Sequence, residues 1–424
     1  MPLGVGVIGA GTVGGGVIQT LLSNGPTIRD KAGVEVVLRH VADLNTALYE
    51  PYDLTGVTIS KDAAALIDDP LVDVVCELIG GVEPAKRFIL RALEAKKHVV
   101  TANKMLLAKH GVELTEAAIR NGVELRYEAA VAGTIPIIKA IRESLASNHI
   151  KAIYGILNGT CNYILSRMTF EGLDYAPVLQ IAQEKGFAET PPDLDVLGHD
   201  TAHKCQILAS LAYCTKVDLE KIYVEGITKI TNLDVAYARE MGRVIKLLAV
   251  IKKSDGEIEA RVHPTLVPEN HLLASVRYEF NGVFVEADIA DATLYYGRGA
   301  GRLPTASAVV SDLVDIAKNQ GKPAPPPFRY THAIEIRDIG LLEGRYYLRL
   351  TTADHPGVLG RVATILGNHG VGIASVIQKE ASEHAPAHIV MMTDSTVESS
   401  IMAALAEIDA LEDTLEPTHV LRVL

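Results

Sequence analysis

Tryptophan is absent from this chain of 424 residues, and Phe, Tyr and Trp together make up only 5% of it. That leaves little with which to stack nucleobases. A basic surplus is missing too: 52 Asp and Glu outnumber 40 Lys and Arg, for a net charge of −12, with no strong Lys/Arg block. Phosphate backbones attract the opposite sign, so nucleic acid is a poor fit as a partner. No apolar run reaches the ~18 residues of a membrane span. The opening MPLGVGVIGAGTVGGG has no charged stretch ahead of its apolar one, so it does not read as a secretory signal. Only four cysteines occur, Cys76, Cys161, Cys205 and Cys214, none at CxxC spacing. They read as free thiols of a reducing cytoplasm, against a zinc site or disulfide framework. What is plentiful is ordinary globular material, 48% hydrophobic and 22% charged. The length suits two to four domains of ~100–200 residues each.

Three regions separate by pattern. In residues 1–133, buried strands are predicted at Leu3–Gly9, Val34–Ala42, Val72–Ile79, His98–Thr101 and Val123–Tyr127, with helical stretches between most of them. That alternation predicts an α/β, Rossmann-like doubly wound parallel sheet. Residues 134–320 mix strands (Ile150–Leu157, Glu257–Leu266, Gly282–Ala290) with helices (Thr160–Thr169, Tyr175–Lys185, Thr201–Thr215). This is an α+β pattern with a mainly antiparallel sheet. A linker follows over 321–344, where Gly321–Phe328 holds four prolines in five residues, a semi-rigid spacer. Residues 345–424 read as βαββαβ, the ferredoxin-like order.

Gly9-Ala-Gly11-Thr12-Val13-Gly14 directly follows the first strand. Gly9 permits the turn, Gly11 lets backbone approach a pyrophosphate, and Gly14 allows close helix–strand packing. The helix start offers N–H donors to phosphate. Asp43 ends the second strand, where a carboxylate accepts ribose hydroxyls and favours NAD. It lies 29 positions beyond Gly14, which implies a loop insertion around Ser23–Gly33. Thr101-Ala-Asn-Lys104 ends another strand and aims Lys104 at the ligand crevice, unless it is an ordinary solvated lysine.

The densest polar cluster runs from Gly186 to Lys204 and contains Glu189, Asp193, Asp195, Asp200 and His203. Lys204 stands one helical turn after Asp200, in line with Leu208 and Leu211. A lysine on a buried stripe is partly desolvated while the carboxylate orients it, which suits an acid/base pair. The bland alternative is a surface ion pair. His199 and His203 share i,i+4 spacing but lack the HExxH context of a zinc site, so they read as solvated or hydrogen-bonded histidines. Asn158-Gly159-Thr160 joins a strand to a helix and offers N–H groups and a hydroxyl to an anion such as a carboxylate; an ordinary helix cap needs the same residues. A second glycine-rich turn, Gly297–Gly301, precedes another helical pattern. If it closes over a cofactor, the helix after it (about 301–320) completes the first domain.

Together these motifs resemble homoserine dehydrogenase over about residues 3–320, adding Tyr127–Pro136, Asn158–Leu165 and Gly299-Ala-Gly301 to those above. The last ~80 residues resemble an ACT domain, a small amino-acid-sensing module. The resemblance implies reversible reduction of L-aspartate 4-semialdehyde to L-homoserine with NADH or NADPH. It implies Lys204 as acid/base, Asp200 as its positioning partner and Glu189 as the seat of the substrate ammonium. Lys104 would sit between nicotinamide and substrate, with Thr101 and Gly301 bordering the cofactor. Glu128, Val131, Gly133 and Ile135 match a monovalent-cation site (Na+ or K+) built largely from backbone carbonyls; a buried capping carboxylate is the plainer reading of Glu128. Ala42 stands where many NADP-using relatives carry arginine, so NAD is the expected preference. The terminal module implies a homo-oligomer, dimer or tetramer. Threonine inhibition is an open expectation, because Gly372 stands where relatives commonly place asparagine. The competing readings are an idle sensor on a dehydrogenase body and another Rossmann dehydrogenase of the same pathway.

Overall fold

The computed structural model describes residues 1–322, 328–379 and 386–424, so prolines 323 and 325–327 of the spacer lie outside the described residues. The chain divides into two compact units. The first comprises residues 1–151, 203–219 and 280–334; the second comprises 152–202, 220–279 and 335–424.

The first unit is built on six parallel strands: β1 (Leu3–Ile8), β2 (Val36–Ala42), β3 (Thr58–Ser60), β4 (Val74–Glu77), β5 (His98–Thr101) and β6 (Leu125–Arg126). Their order is β3-β2-β1-β4-β5-β6. Every residue of β1 and β4 is buried, as a sheet covered on both faces requires. The order reverses between β1 and β4, which opens a crevice at their carboxyl ends. Helix Thr12–Ser23 follows β1, and helix Arg302–Lys318 shares its core: Val17 and Ile18 pack in one cluster with Val309, Leu313 and Ile316. Gly16 permits the contact, since a Cβ there would lie 2.5 Å from the Arg302 carbonyl oxygen. The stretch between Gly14 and Asp43 is not a loop insertion. It holds a helix, Gly25–Ala32, opened by Pro26 and closed by Gly33 in the left-handed conformation.

In the second unit the strands Ile150–Ile156, Arg243–Ser254, Glu257–Pro268, Thr414–Val423, Glu343–Thr352, Ala387–Thr393 and Ile373–Gln378 lie side by side in that order. All neighbours are antiparallel except Glu257–Pro268 with Thr414–Val423, which pair in parallel through Thr265–Arg422 and Leu266–Val423. The C-terminal βαββαβ module therefore continues the sheet of the region before it. Its helices Val358–Asn368 and Glu398–Asp409 bury Val362, Leu366, Ile401 and Ile408 against Leu348, Leu350, Ile389 and Met391. The helix carrying Asp200 and Lys204 spans His199–Tyr213 and stops before Cys214, whose φ is +50°.

Candidate active site

The glycine loop has the expected division of labour. Gly9 adopts φ +94°, and a Cβ on Gly14 would lie 1.7 Å from the Gly9 carbonyl oxygen, so helix and strand meet there. Nothing lies within 4 Å of a Cβ on Gly11, whose backbone faces open space at the head of helix Thr12–Ser23. A cavity of ≈ 910 Å³ starts here, lined by Gly9, Gly11, Asp43, Lys61, Gly80 and Arg87 among others. Thr12 and Val13 form the first turn of the helix, beside that lining. Asp43 is already engaged: Oδ2 accepts from Ala10 N at 2.6 Å and Oδ1 from Asn45 N at 2.8 Å. The carboxylate thus fixes the glycine loop while lining the cavity, and each oxygen keeps a further lone pair for a ribose hydroxyl.

Thr101 is fully buried, and its hydroxyl donates to Glu77 Oε2 at 2.8 Å. Burial pushes the Glu77 carboxyl above its ordinary range. Asn103 accepts from Leu106 N and so caps helix Lys104–Asn121; it also donates to Gly81 O at 2.6 Å. Lys104 is the first residue of that helix. Thr101 and Asn103 hold the segment from which Lys104 projects, and Glu77 was the partner missed in the sequence.

Asn158 is both cap and clamp. Its Oδ1 accepts from Cys161 N at 2.8 Å at the start of helix Gly159–Glu171. Its Nδ2 donates to Asp195 Oδ1 at 2.7 Å and Asp200 Oδ2 at 2.9 Å. Thr160 donates its hydroxyl to Phe187 O at 2.5 Å, which leaves backbone N–H groups as what this turn can offer an anion. One turn further along, Asn162 accepts from Lys246 Nζ at 2.9 Å. Burial pulls the Lys246 ammonium down to about 7. Glu189 lies exposed on the stretch before helix Asp193–Val196.

Asp200 is 2% exposed and Lys204 8%, on a helix whose residues 200–211 are all buried. The surface ion pair is therefore ruled out by burial. His199 is exposed and His203 buried, and among the described residues no cluster of His, Cys, Asp and Glu has the makings of a metal site.

Glu128 acts as a cap: its carboxylate accepts from Ile138 N and Lys139 N, both at 2.9 Å. Burial, aided by Asp312, raises that carboxyl to about 7. With one backbone N–H on each oxygen, the carboxylate holds the Ile138 and Lys139 amides and keeps further lone pairs beside them. Ala132 and Gly133 both adopt positive φ, +57° and +58°, so the turn from Val131 to Ile135 reverses its peptides. Gly133 packs on the second glycine-rich turn, where a Cβ would lie 2.6 Å from Arg298 O. Gly301, at φ +127°, starts helix Arg302–Lys318.

In the C-terminal module the loop Asp354–Leu359 and Gln378 line a cavity of ≈ 350 Å³. At Gly372 a Cβ would lie 2.4 Å from Asp394 Oδ2, so that carboxylate fills the space an asparagine would need.

The chain matches the family descriptions "Homoserine dehydrogenase, NAD binding domain" over residues 9–128, "Homoserine dehydrogenase" over 136–314 and "ACT domain" over 346–413. It is 43% identical to the homoserine dehydrogenase of Neisseria gonorrhoeae, with 100% of this chain and 98% of that one covered. The Pseudomonas aeruginosa enzyme is 44% identical at 100% and 99% coverage. A crystal structure of a homoserine dehydrogenase from Thiobacillus denitrificans superposes with TM-score 0.94 at 41% identity, covering 100% of this chain and 98% of that one. With all its length matched and the glycine cradle and buried Asp200–Lys204 helix in place, this chain belongs to the homoserine dehydrogenase family.

Proposed function

We propose that Lys204 is the general acid and base of this enzyme, and the observation that carries the assignment is its burial one helical turn from Asp200, which is buried too. The family's reaction is the reversible NAD(P)H-dependent reduction of L-aspartate 4-semialdehyde to L-homoserine, a step toward threonine and methionine. During reduction Lys204 gives a proton to the carbonyl oxygen; during oxidation it takes the hydroxyl proton. The bound nicotinamide supplies the hydride in one direction and accepts it in the other. Asp200, fixed by Asn158, orients Lys204 and substrate. The N–H groups of Gly159 and Thr160 take the substrate carboxylate, Glu189 its ammonium, and Lys104 stands between substrate and nicotinamide. Replacing Lys204 separates this reading from the idle-sensor one, as developed below.

The cofactor seat is Gly9, Gly11, Thr12, Val13, Gly14 and Asp43, with Thr101, Lys104 and Gly301 beyond it. Asp43 at the cavity wall, with Ala42 beside it, supports NAD(H) over NADP(H). Lys61 and Arg87 line the same cavity and temper the discrimination. The expected result is a higher kcat/KM for NAD; a clear NADP preference contradicts the Asp43 argument.

Main-chain carbonyls of Glu128, Val131, Gly133 and Ile135 suit a hard monovalent cation, Na+ or K+, which wants oxygen ligands. Threonine is the proposed effector at the Asp354–Leu359 cavity. The edge strand Ile373–Gln378 ends its sheet with residues 374–376 exposed, which supports pairing of copies into a dimer or tetramer. Four free cysteines accord with a cytoplasmic setting, and among the described residues no helix is long and apolar enough to cross a membrane. Turnover is expected to fall when tetramethylammonium replaces K+; millimolar threonine decides the effector, inhibition supporting it. Indifference to either removes the corresponding ligand.

A further inference from the structure

Helix Asn232–Glu240 stands between the C-terminal module and the helix that starts at the Asn158 turn. Its Asp234 has a fully buried side chain, and six donors converge on it. Two come from Thr231, whose backbone N and hydroxyl donate at 3.0 and 2.7 Å and close the helix start. The other four come from the C-terminal module. Tyr347 hydroxyl donates at 3.1 Å, Arg349 Nε at 2.7 Å and Nη2 at 3.3 Å, and His419 Nδ1 at 3.1 Å. Arg349 and His419 are themselves about nine-tenths buried. At the far end of the helix, Lys379 reaches Glu240 at 2.5 Å, an exposed contact of small weight.

The same helix grips the end of helix Gly159–Glu171. Asn232 Nδ2 donates to Gly172 O at 3.1 Å and to Asp174 Oδ1 at 2.6 Å. Arg239 Nη1 donates to Thr169 O at 3.4 Å. A helix transmits displacement along its axis, and at the other end of this one Asn158 holds Asp195 and Asp200.

We propose that Tyr347 and Arg349 of the C-terminal module are positioning residues for substrate binding, acting through Asp234 and the helix Asn232–Glu240 on the Asn158–Thr160 turn. This rests on the reading of that turn as the seat of the substrate carboxylate. Neither residue takes part in cofactor binding or proton transfer, so the effect falls on homoserine KM.

The test compares Tyr347→Phe, Arg349→Gln and Asn158→Ala in the full-length enzyme. Each of the first two is expected to raise homoserine KM by about three- to tenfold, the scale of energetic coupling through a packed network. Their kcat and cofactor KM are expected to stay near wild type, and so is the Tm of Tyr347→Phe; Arg349→Gln is expected to lower Tm, since it leaves the buried Asp234 carboxylate without its guanidinium partner, and Arg349→Lys to fall between wild type and Arg349→Gln. Tyr347→Phe removes one hydroxyl and keeps the ring, so it guards against a fold defect in Arg349→Gln. An unchanged homoserine KM in both variants overturns the proposal if Asn158→Ala raises that KM. If Asn158→Ala leaves it unchanged, the substrate-seat reading fails and takes the route with it. Losses of kcat and cofactor KM in step with a lowered Tm also overturn it, since that is the mark of plain destabilisation.

Discussion

Lys204→Ala is expected to lower turnover by about 10²–10⁴-fold, the usual span for a positioned acid/base group. Fold and cofactor binding should survive. The side chain sits on a helix buried on every side, so its removal leaves a small cavity, but the glycine cradle proposed to hold the cofactor is built from other elements. Asp200 keeps Asn158 as a partner in the variant, so the carboxylate is not stripped of hydrogen bonds. Turnover, Tm and binding of the reduced cofactor measured on one preparation separate loss of chemistry from loss of fold. Near wild-type turnover removes Lys204 from the mechanism.

The second large effect belongs to the glycine loop, where two alanines do different things. Gly11→Ala places a methyl with no neighbour within 4 Å, at φ −63°, so the free protein has nothing to resist it. That methyl points into the cavity where backbone must approach a pyrophosphate. The expected result is a cofactor KM raised tenfold or more at unchanged Tm. Gly14→Ala instead drives a methyl into the Gly9 carbonyl, 1.7 Å away, and helix must part from strand. Overpacking of that kind costs about 1–3 kcal/mol or more, so Tm and cofactor affinity fall together. A Gly11→Ala enzyme with unchanged cofactor KM means that the cradle is only a turn.

What the sequence discloses about this site is what repeats locally. Gly9, Gly11 and Gly14 follow a buried strand, and their spacing alone predicts their roles. Asp200 and Lys204 are four apart on an apolar pattern, and burial follows. The helix Gly25–Ala32 was legible too, in Pro26 at its start and Gly33 at its end, but a long spacing reads first as a loop. Glu77 was harder: a carboxylate ending a buried strand is a signal, yet its partner Thr101 lies 24 residues on. Asp195 stood in the dense polar cluster without anything local to say that Asn158 would hold it.

Contacts made across the chain leave no local trace. Asp234 meets Arg349 and His419 at separations of 115 and 185 residues, and its own neighbourhood predicts only a helix cap. The parallel pairing of Glu257–Pro268 with Thr414–Val423 is of the same kind. A proline-rich spacer suggests an appended module, whereas the strands of that module extend the preceding sheet. Register between distant strands is settled by packing, which no short window of sequence contains.

The most direct test of the acid/base assignment is homoserine oxidation by Lys204→Arg, followed through the absorbance of the reduced nicotinamide. Arginine keeps a positive charge beside Asp200 but does not give up its proton in a protein, so it cannot serve as the base. The account predicts an oxidation rate as low as that of Lys204→Ala, with cofactor binding intact. Retention of most of the wild-type rate contradicts it, because the lysine would then supply charge and no proton transfer.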